Sequence, residues 1–325
     1  MSLDSLAGLG SKDLGVRFNL VGVLPAAVLA MLILAAVWSG APAASPKLGV
    51  AGARLADVSA GEVALLGLGI LVFSLILHPL QLSLVRLLEG YWGEGRVGRT
   101  VAAMGRRRHQ GRRRKLDGRT LVPRSDGTVD PDRARSATLA AWELRRRYPR
   151  SDRVLPTRLG NVLRAAEDRT GDKYGLDAVL AWPRLFPLVS DGLAGALDDA
   201  RNQLDLAARF AVTFLLAGVA ALILLGAHGW WVMTAAGAAF LAWLSYRAAV
   251  NAAIAYGELM ETAFDLHRFD LLRALHVPLP PDHKHELEIN ATVTEFLRHD
   301  FPVKLEFDHD AAPPNDPGEE GRAQR

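Results

Sequence analysis

Four uncharged stretches of roughly 20 residues constrain this chain more than anything else in it. They are residues 18–38, 63–85, 210–229 and 230–246. A hydrocarbon core about 30 Å thick needs ~20 consecutive apolar residues in a helix, whereas a buried core helix in a soluble domain makes do with about 10–14. The sequence therefore predicts an all-α polytopic membrane protein with four transmembrane helices. Half of the 325 residues are hydrophobic and only 22% are charged. Those averages look ordinary because the apolar residues are bunched and the remainder is polar and arginine-rich. The chain has no cysteine, which excludes disulfides, thiolate metal sites and a cysteine nucleophile.

The third and fourth runs are joined by Gly226, Ala227, His228 and Gly229, so they must form a tight antiparallel hairpin. Small residues line its facing walls: Ala217, Gly218 and Ala221 on one leg, Ala235 and Ala239 on the other. Such residues let helix backbones approach closely. No helix breaker separates the third run from Leu193, Leu197, Ala200, Leu204 and Ala207, whose 4-3-4-3 spacing is a heptad seam. One helix is expected over 191–227. Its partner should run on through Leu259 to about Leu275, extending the hairpin into a cytosolic stalk.

Orientation follows from lysine and arginine in the flanks. Lys12 and Arg17 precede the first run, and a dense basic region, 86–124, follows the second. The loop between runs three and four has neither residue. Both termini and the long central segment are expected on the cytoplasmic side. The first run is longer than the 7–15 residues of a signal-peptide core, so it reads as a span.

The expected organisation has six parts. Residues 1–17 form a cytosolic segment, and 18–92 hold the first two spans with an interfacial continuation past His78 and Pro79. Residues 93–190 form a basic loop, up to about 129, followed by helices over 130–148 and 157–170. The hairpin occupies 191–275. A C-terminal helix over 282–298 and a short alternating piece over 303–307 complete 276–307, and 308–325 is a Pro-, Gly- and charge-rich tail expected to be disordered.

The strongest local signal is the basic run containing Arg106, Arg107, Arg108, Arg112, Arg113, Arg114 and Lys115. Lying close to a membrane exit, it points to anionic lipid headgroups, at about 1 kcal/mol per cation near the surface. Nucleic acid is the less fitting anion, because no aromatic residue interleaves the arginines to stack on bases. A plain topology signal with no specific partner is the competing explanation. The G-x-G-x-x-G match at 93–98 lacks the strand-to-helix setting that a dinucleotide needs, and reads as a turn.

Register brings Asp198 and Asp199 towards Glu258 and Glu261, with Asp265 one turn further on. Carboxylates so placed could hold a divalent cation; salt bridges with Arg201, Arg164 or Arg268 are the plainer reading. His276, His283 and His285 cluster near a Pro-rich turn without the ligand set zinc prefers, so no metal, cofactor or catalytic residue is assigned. His78 is the titratable side chain deepest in a span, and Asn290 opens a sequon on the side that glycosylation does not reach.

These features favour a membrane-anchored interaction or regulatory module at the inner leaflet of a bacterial membrane, rather than an enzyme. Its expected partners are anionic lipids and either a second copy of itself or a cytosolic protein. The alternative is an oligomeric ion channel or membrane-permeabilising pore. A transporter fits less well, since no span carries a charged residue at its centre.

Overall fold

The computed structural model describes residues 25, 27–93, 95–120, 130–298 and 304–308, and the side chains of 73–82 and 84 lie outside that description. The described residues are helical, with no strand among them. The chain divides into two units: residues up to Tyr91 together with Asn202–Ala252, and Trp92–Arg201 together with the residues from Ala253 onward.

The first unit holds the apolar helices. Helix α1 covers Ala27–Trp38, α2 covers Leu48–Ala56 and α3 covers Ala60–Glu89. Ser59 starts α3 with a reciprocal capping box: its Oγ accepts from Glu62 N at 3.3 Å while Glu62 Oε2 accepts from Ser59 N at 2.8 Å. The unit is completed by the apolar parts of α8, Asp191–Leu225, and α9, Met233–Ala274. A 3-10 turn, Gly229–Val232, joins these two. The expected close approach of the hairpin legs is present. A Cβ built on Gly218 would stand 3.5 Å from the Ala235 carbonyl oxygen and 3.6 Å from Ala238 Cβ. His228 Nε2 lies 3.0 Å from the Pro42 carbonyl oxygen, tying the hairpin turn to the turn after α1.

Two helical stretches, Asp191–Leu225 and Gly229–Ala274, are long and apolar enough to cross a membrane. A third candidate is the pair formed by Leu48–Ala56 and Ala60–Val72, bent by 107°. Among the described residues, two or three of the four expected spans are thus supported. The described part of the first run, α1, is too short to span a core of about 30 Å by itself; residues 18–24 and 26 of that run fall outside the description. Helix α3 is helical through positions 78 and 79, but the setting of the His78 side chain lies outside the described residues.

The second unit comprises α4, Arg96–Thr120; α5, Pro131–Arg147; α6, Arg158–Asp172; α7, Ala178–Leu185; α10, His283–Arg298; and the polar parts of α8 and α9. Its core contains Leu185, Leu197, Phe264, Leu271, Leu272 and Val293, all 1% exposed or less. Trp182 of α7 stacks on Phe264 with ring centroids 6.1 Å apart. Helices α5, α6 and α10 fall within a few residues of the sequence expectation, because each has the cap or periodicity that marks a helix. Asp130 caps α5 through Asp132 N, and Thr157 caps α6 through Gly160 N. The seam of α8 is buried at Leu197, Ala200, Leu204, Ala208 and Ala211. It follows the predicted heptad and then slips by one at Ala208, as a 3.6-residue helix does against a 3.5-residue repeat.

One expectation fails in this unit. Residues expected as a Gly- and Arg-rich loop form the long helix α4. Arginine is a good helix former, and the glycine at 105 serves packing: a Cβ there would stand 2.6 Å from the Pro156 carbonyl oxygen. The short piece expected over 303–307 is neither helix nor strand at its described positions, 304–307. There Leu305 packs on the core, and Asp308 N donates to the His276 carbonyl oxygen at 2.7 Å.

Candidate functional site

Helix α4 carries the site that the second unit offers to its surroundings. Its inner stripe is Gly98, Ala102, Gly105, His109, Arg112, Leu116 and Thr120, spaced 4-3-4-3-4-4 and buried or half-buried throughout. That stripe holds almost no hydrophobic side chain beyond Leu116. The helix is fixed instead by close contact and by polar joints. His109, 5% exposed, places Nδ1 3.3 Å from the Tyr148 hydroxyl, and Arg113 Nε donates to the Pro149 carbonyl oxygen at 3.1 Å. Burial, together with the positive charge of Arg112, Arg158 and Arg108, pushes the His109 imidazole down to about 4. The ring is therefore neutral at physiological pH, which removes one more cation from an already crowded helix.

Of the seven basic residues singled out by the sequence, Arg106, Arg107, Arg108, Arg114 and Lys115 are exposed, while Arg112 and Arg113 are half-buried. Among the described residues none of the seven has a carboxylate partner. A second stripe of the same helix bears Val97, Val101 and Met104, which are 77%, 45% and 66% exposed, and continues into Arg108 and Lys115. Large apolar side chains at i, i+4 and i+7 share one helical face, so this stripe is apolar in its first half and cationic in its second. The apolar part was not singled out from sequence. Its signal, three hydrophobic residues at helical spacing, is present, but a loop assignment gives such spacing no meaning.

The acidic residues behave differently. Glu258 pairs with Arg146, Glu261 Oε1 lies 2.6 Å from Arg145 Nη2, and Glu261 Oε2 lies 3.3 Å from Arg169 Nε. Asp265 accepts from Tyr174 Oη at 2.6 Å and from Lys173 Nζ at 3.1 Å. The plainer reading of charge pairing thus fits these three, though with α5 and α6 arginines and Lys173 in place of the partners expected. Asp198 and Asp199 are exposed on α8. Burial pushes the Arg169 guanidinium below its ordinary value, and Glu261 draws it back up. Among the described residues no group of three or more His, Asp or Glu is placed to hold a metal ion.

The histidine cluster also separates into local pairs. His283 Nδ1 lies 3.1 Å from Glu286 Oε2, whose other oxygen accepts from Arg268 Nε at 2.7 Å. His285 Nδ1 lies 2.9 Å from Asp282 Oδ1. His276 stands just past α9 at φ 55°, and the amides of His276 and Val277 bond back to the Arg273 and Leu272 carbonyls, the double bond that closes a helix C-terminus. Asn290, the sequon residue, is 1% exposed and donates to the Tyr174 carbonyl oxygen at 2.8 Å, a packing role. Glu94 of the G-x-G-x-x-G match lies outside the described residues, and Arg96 and Gly98 within it belong to α4.

Comparison with family models, curated proteins and solved structures finds no match for this chain.

Proposed function

We propose that this chain is a membrane-anchored interaction module of the bacterial inner membrane. In this reading the four apolar runs all cross the bilayer, both termini are cytoplasmic, and α4 lies on the inner leaflet against anionic headgroups. The observation that carries it is the face of α4, where exposed cations free of carboxylate partners continue a stripe of exposed Val97, Val101 and Met104. An apolar patch bordered by arginines is the pattern of helices that lie in the membrane–water interface. Arg108 and Lys115 on that stripe, with Arg107 and Arg114 flanking it, supply roughly 4 kcal/mol of attraction at about 1 kcal/mol each. Helix α4 also opens at Arg96 shortly after the apolar helix α3 closes at Glu89, so the chain keeps it near a bilayer that α3 enters. With this face on lipid, the other helices of the second unit remain available to a cytosolic partner or a second copy.

The test uses Met104→Cys, the only thiol in a chain without cysteine, carrying an environment-sensitive dye. In nanodiscs containing phosphatidylglycerol the emission shifts to the blue relative to phosphatidylcholine nanodiscs, and high salt reverses the shift. Identical spectra in the two lipids would sink the lipid reading. Reproducible single-channel currents from liposomes carrying the protein would replace the anchor with a pore.

A further inference from the structure

The first unit holds a partly open apolar pocket of about 180 Å³. It lies among α1, α8 and α9, with Leu32, Ile33 and Ala36 on one side and Ala217, Ala221 and Ala238 on the other two. Its volume is comparable to the roughly 150 Å³ of an apolar cavity that stays dry and binds benzene. Its two hydroxyl-bearing residues, Ser39 and Thr234, both direct their protons to their own helices. Ser39 Oγ donates to the Ala36 carbonyl oxygen at 2.7 Å, and Thr234 Oγ1 donates to that of Trp231 at 2.7 Å. Buried water needs two to four polar partners, and apart from the Trp231 indole the rest of the lining is alanine, leucine, isoleucine and proline.

The space exists because alanine stands where α8 and α9 would otherwise fill it. Alanines let the two hairpin legs meet closely, as at Gly218, yet between the hairpin and α1 the same short side chains leave a gap. Two of the three walls belong to the helices long and apolar enough to cross a membrane. The solvent around such helices is acyl chain, so the occupant that fits in both chemistry and supply is a lipid tail.

We propose that this pocket seats a segment of one acyl chain of a phospholipid, the rest of which lies along the membrane unit. The chain is recognised by its methylenes and not by its headgroup, so the site is independent of the cationic face of α4. Native mass spectrometry of the full-length protein, extracted and washed in detergent, tests it. One phospholipid per chain persists in the wild type, drawn from phosphatidylcholine and phosphatidylglycerol alike. Ala221→Leu, which fills the pocket, loses it. If that variant fails to fold, Ala238→Val fills the same space from the other leg. Neutralising Arg106, Arg107 and Arg108 to Gln leaves the lipid in place. A wild type that washes free of lipid overturns the proposal. So does a lipid that survives pocket filling, and so does one lost with the arginines, which would make it a headgroup ligand of α4.

Discussion

The arginines of α4 and those of α5, α6, α9 and the 3-10 turn Ser151–Arg153 sit in the same unit and are put to opposite uses. Arg145, Arg146, Arg153, Arg169 and Arg268 each face a carboxylate, on Glu261, Glu258, Asp168, Glu261 and Glu286 respectively. Arg106, Arg107, Arg108, Arg114 and Lys115 face none among the described residues. A cation whose charge is already met inside the fold holds helices together. A cation left in solvent beside exposed valine and methionine contributes nothing to the fold, and its field acts on whatever anion approaches. Pairing therefore separates architecture from interface more sharply than the density of arginine in the sequence does.

The largest effect expected from this contrast lies in lipid binding. Changing Arg106, Arg107, Arg108, Arg114 and Lys115 together to Gln keeps good helix formers on α4 while removing roughly 4 kcal/mol of attraction to an anionic surface. Binding of phosphatidylglycerol to the detergent-solubilised protein, followed by titration, should weaken by about three orders of magnitude. The thermal unfolding midpoint should stay where it is. A large fall in that midpoint would mean that these cations are structural after all.

Glu261→Gln attacks the other set. Its carboxylate serves both Arg145 and Arg169, and the Arg169 side chain is only 9% exposed. Removing one partner of a buried ion pair leaves an uncompensated charge and costs about 3–4 kcal/mol. The expected signature is a clear loss of thermal stability with phosphatidylglycerol binding unchanged, the reverse of the α4 variant.

His109 adds a pH dependence of definite sign. Its folded-state value of about 4 lies below the ordinary value near 6.5, so between those values the unfolded chain binds the extra proton. Stability is then fully present above pH 6.5 and falls as pH drops towards 4, by up to about 3 kcal/mol. Unfolding of the full chain at pH 7.5 and pH 5 should show this slope, and His109→Gln should flatten it. An unchanged slope in the variant would assign it to other groups.

How much of this was legible in the sequence depended on whether hydrophobicity carried the signal. The hairpin of α8 and α9 was readable to within a residue or two at the ends of its long legs, since apolar length and the absence of proline specify it. Helix α4 was not, because its inner stripe is glycine, alanine and a neutral histidine, whose fit against Pro156 and Tyr148 appears only in three dimensions. Helix α7 is short and contains Pro183, which reads as a break. The register along the hairpin drew the acidic residues together on paper, whereas Glu258, Glu261 and Asp265 are met by Arg146, by Arg145 and Arg169, and by Lys173. Their arginine partners on α5, 116 positions away in the case of Arg145 and Glu261, have no local signature.

The smallest expected effect asks whether pairing alone makes an arginine structural. Arg147 Nη1 and Glu143 Oε1 are 3.7 Å apart on α5, one turn from each other, and both side chains are 45% exposed. An exposed i,i+4 pair contributes about 0.3–0.5 kcal/mol, against several for the buried node at Glu261. Glu143→Gln should therefore shift the unfolding midpoint barely beyond error, and the residual shift should vanish at high salt. If it instead matched Glu261→Gln, having a carboxylate neighbour would be the deciding property. If it matches the α4 variant, burial decides, and exposed arginines belong to the surface whether or not a glutamate stands beside them.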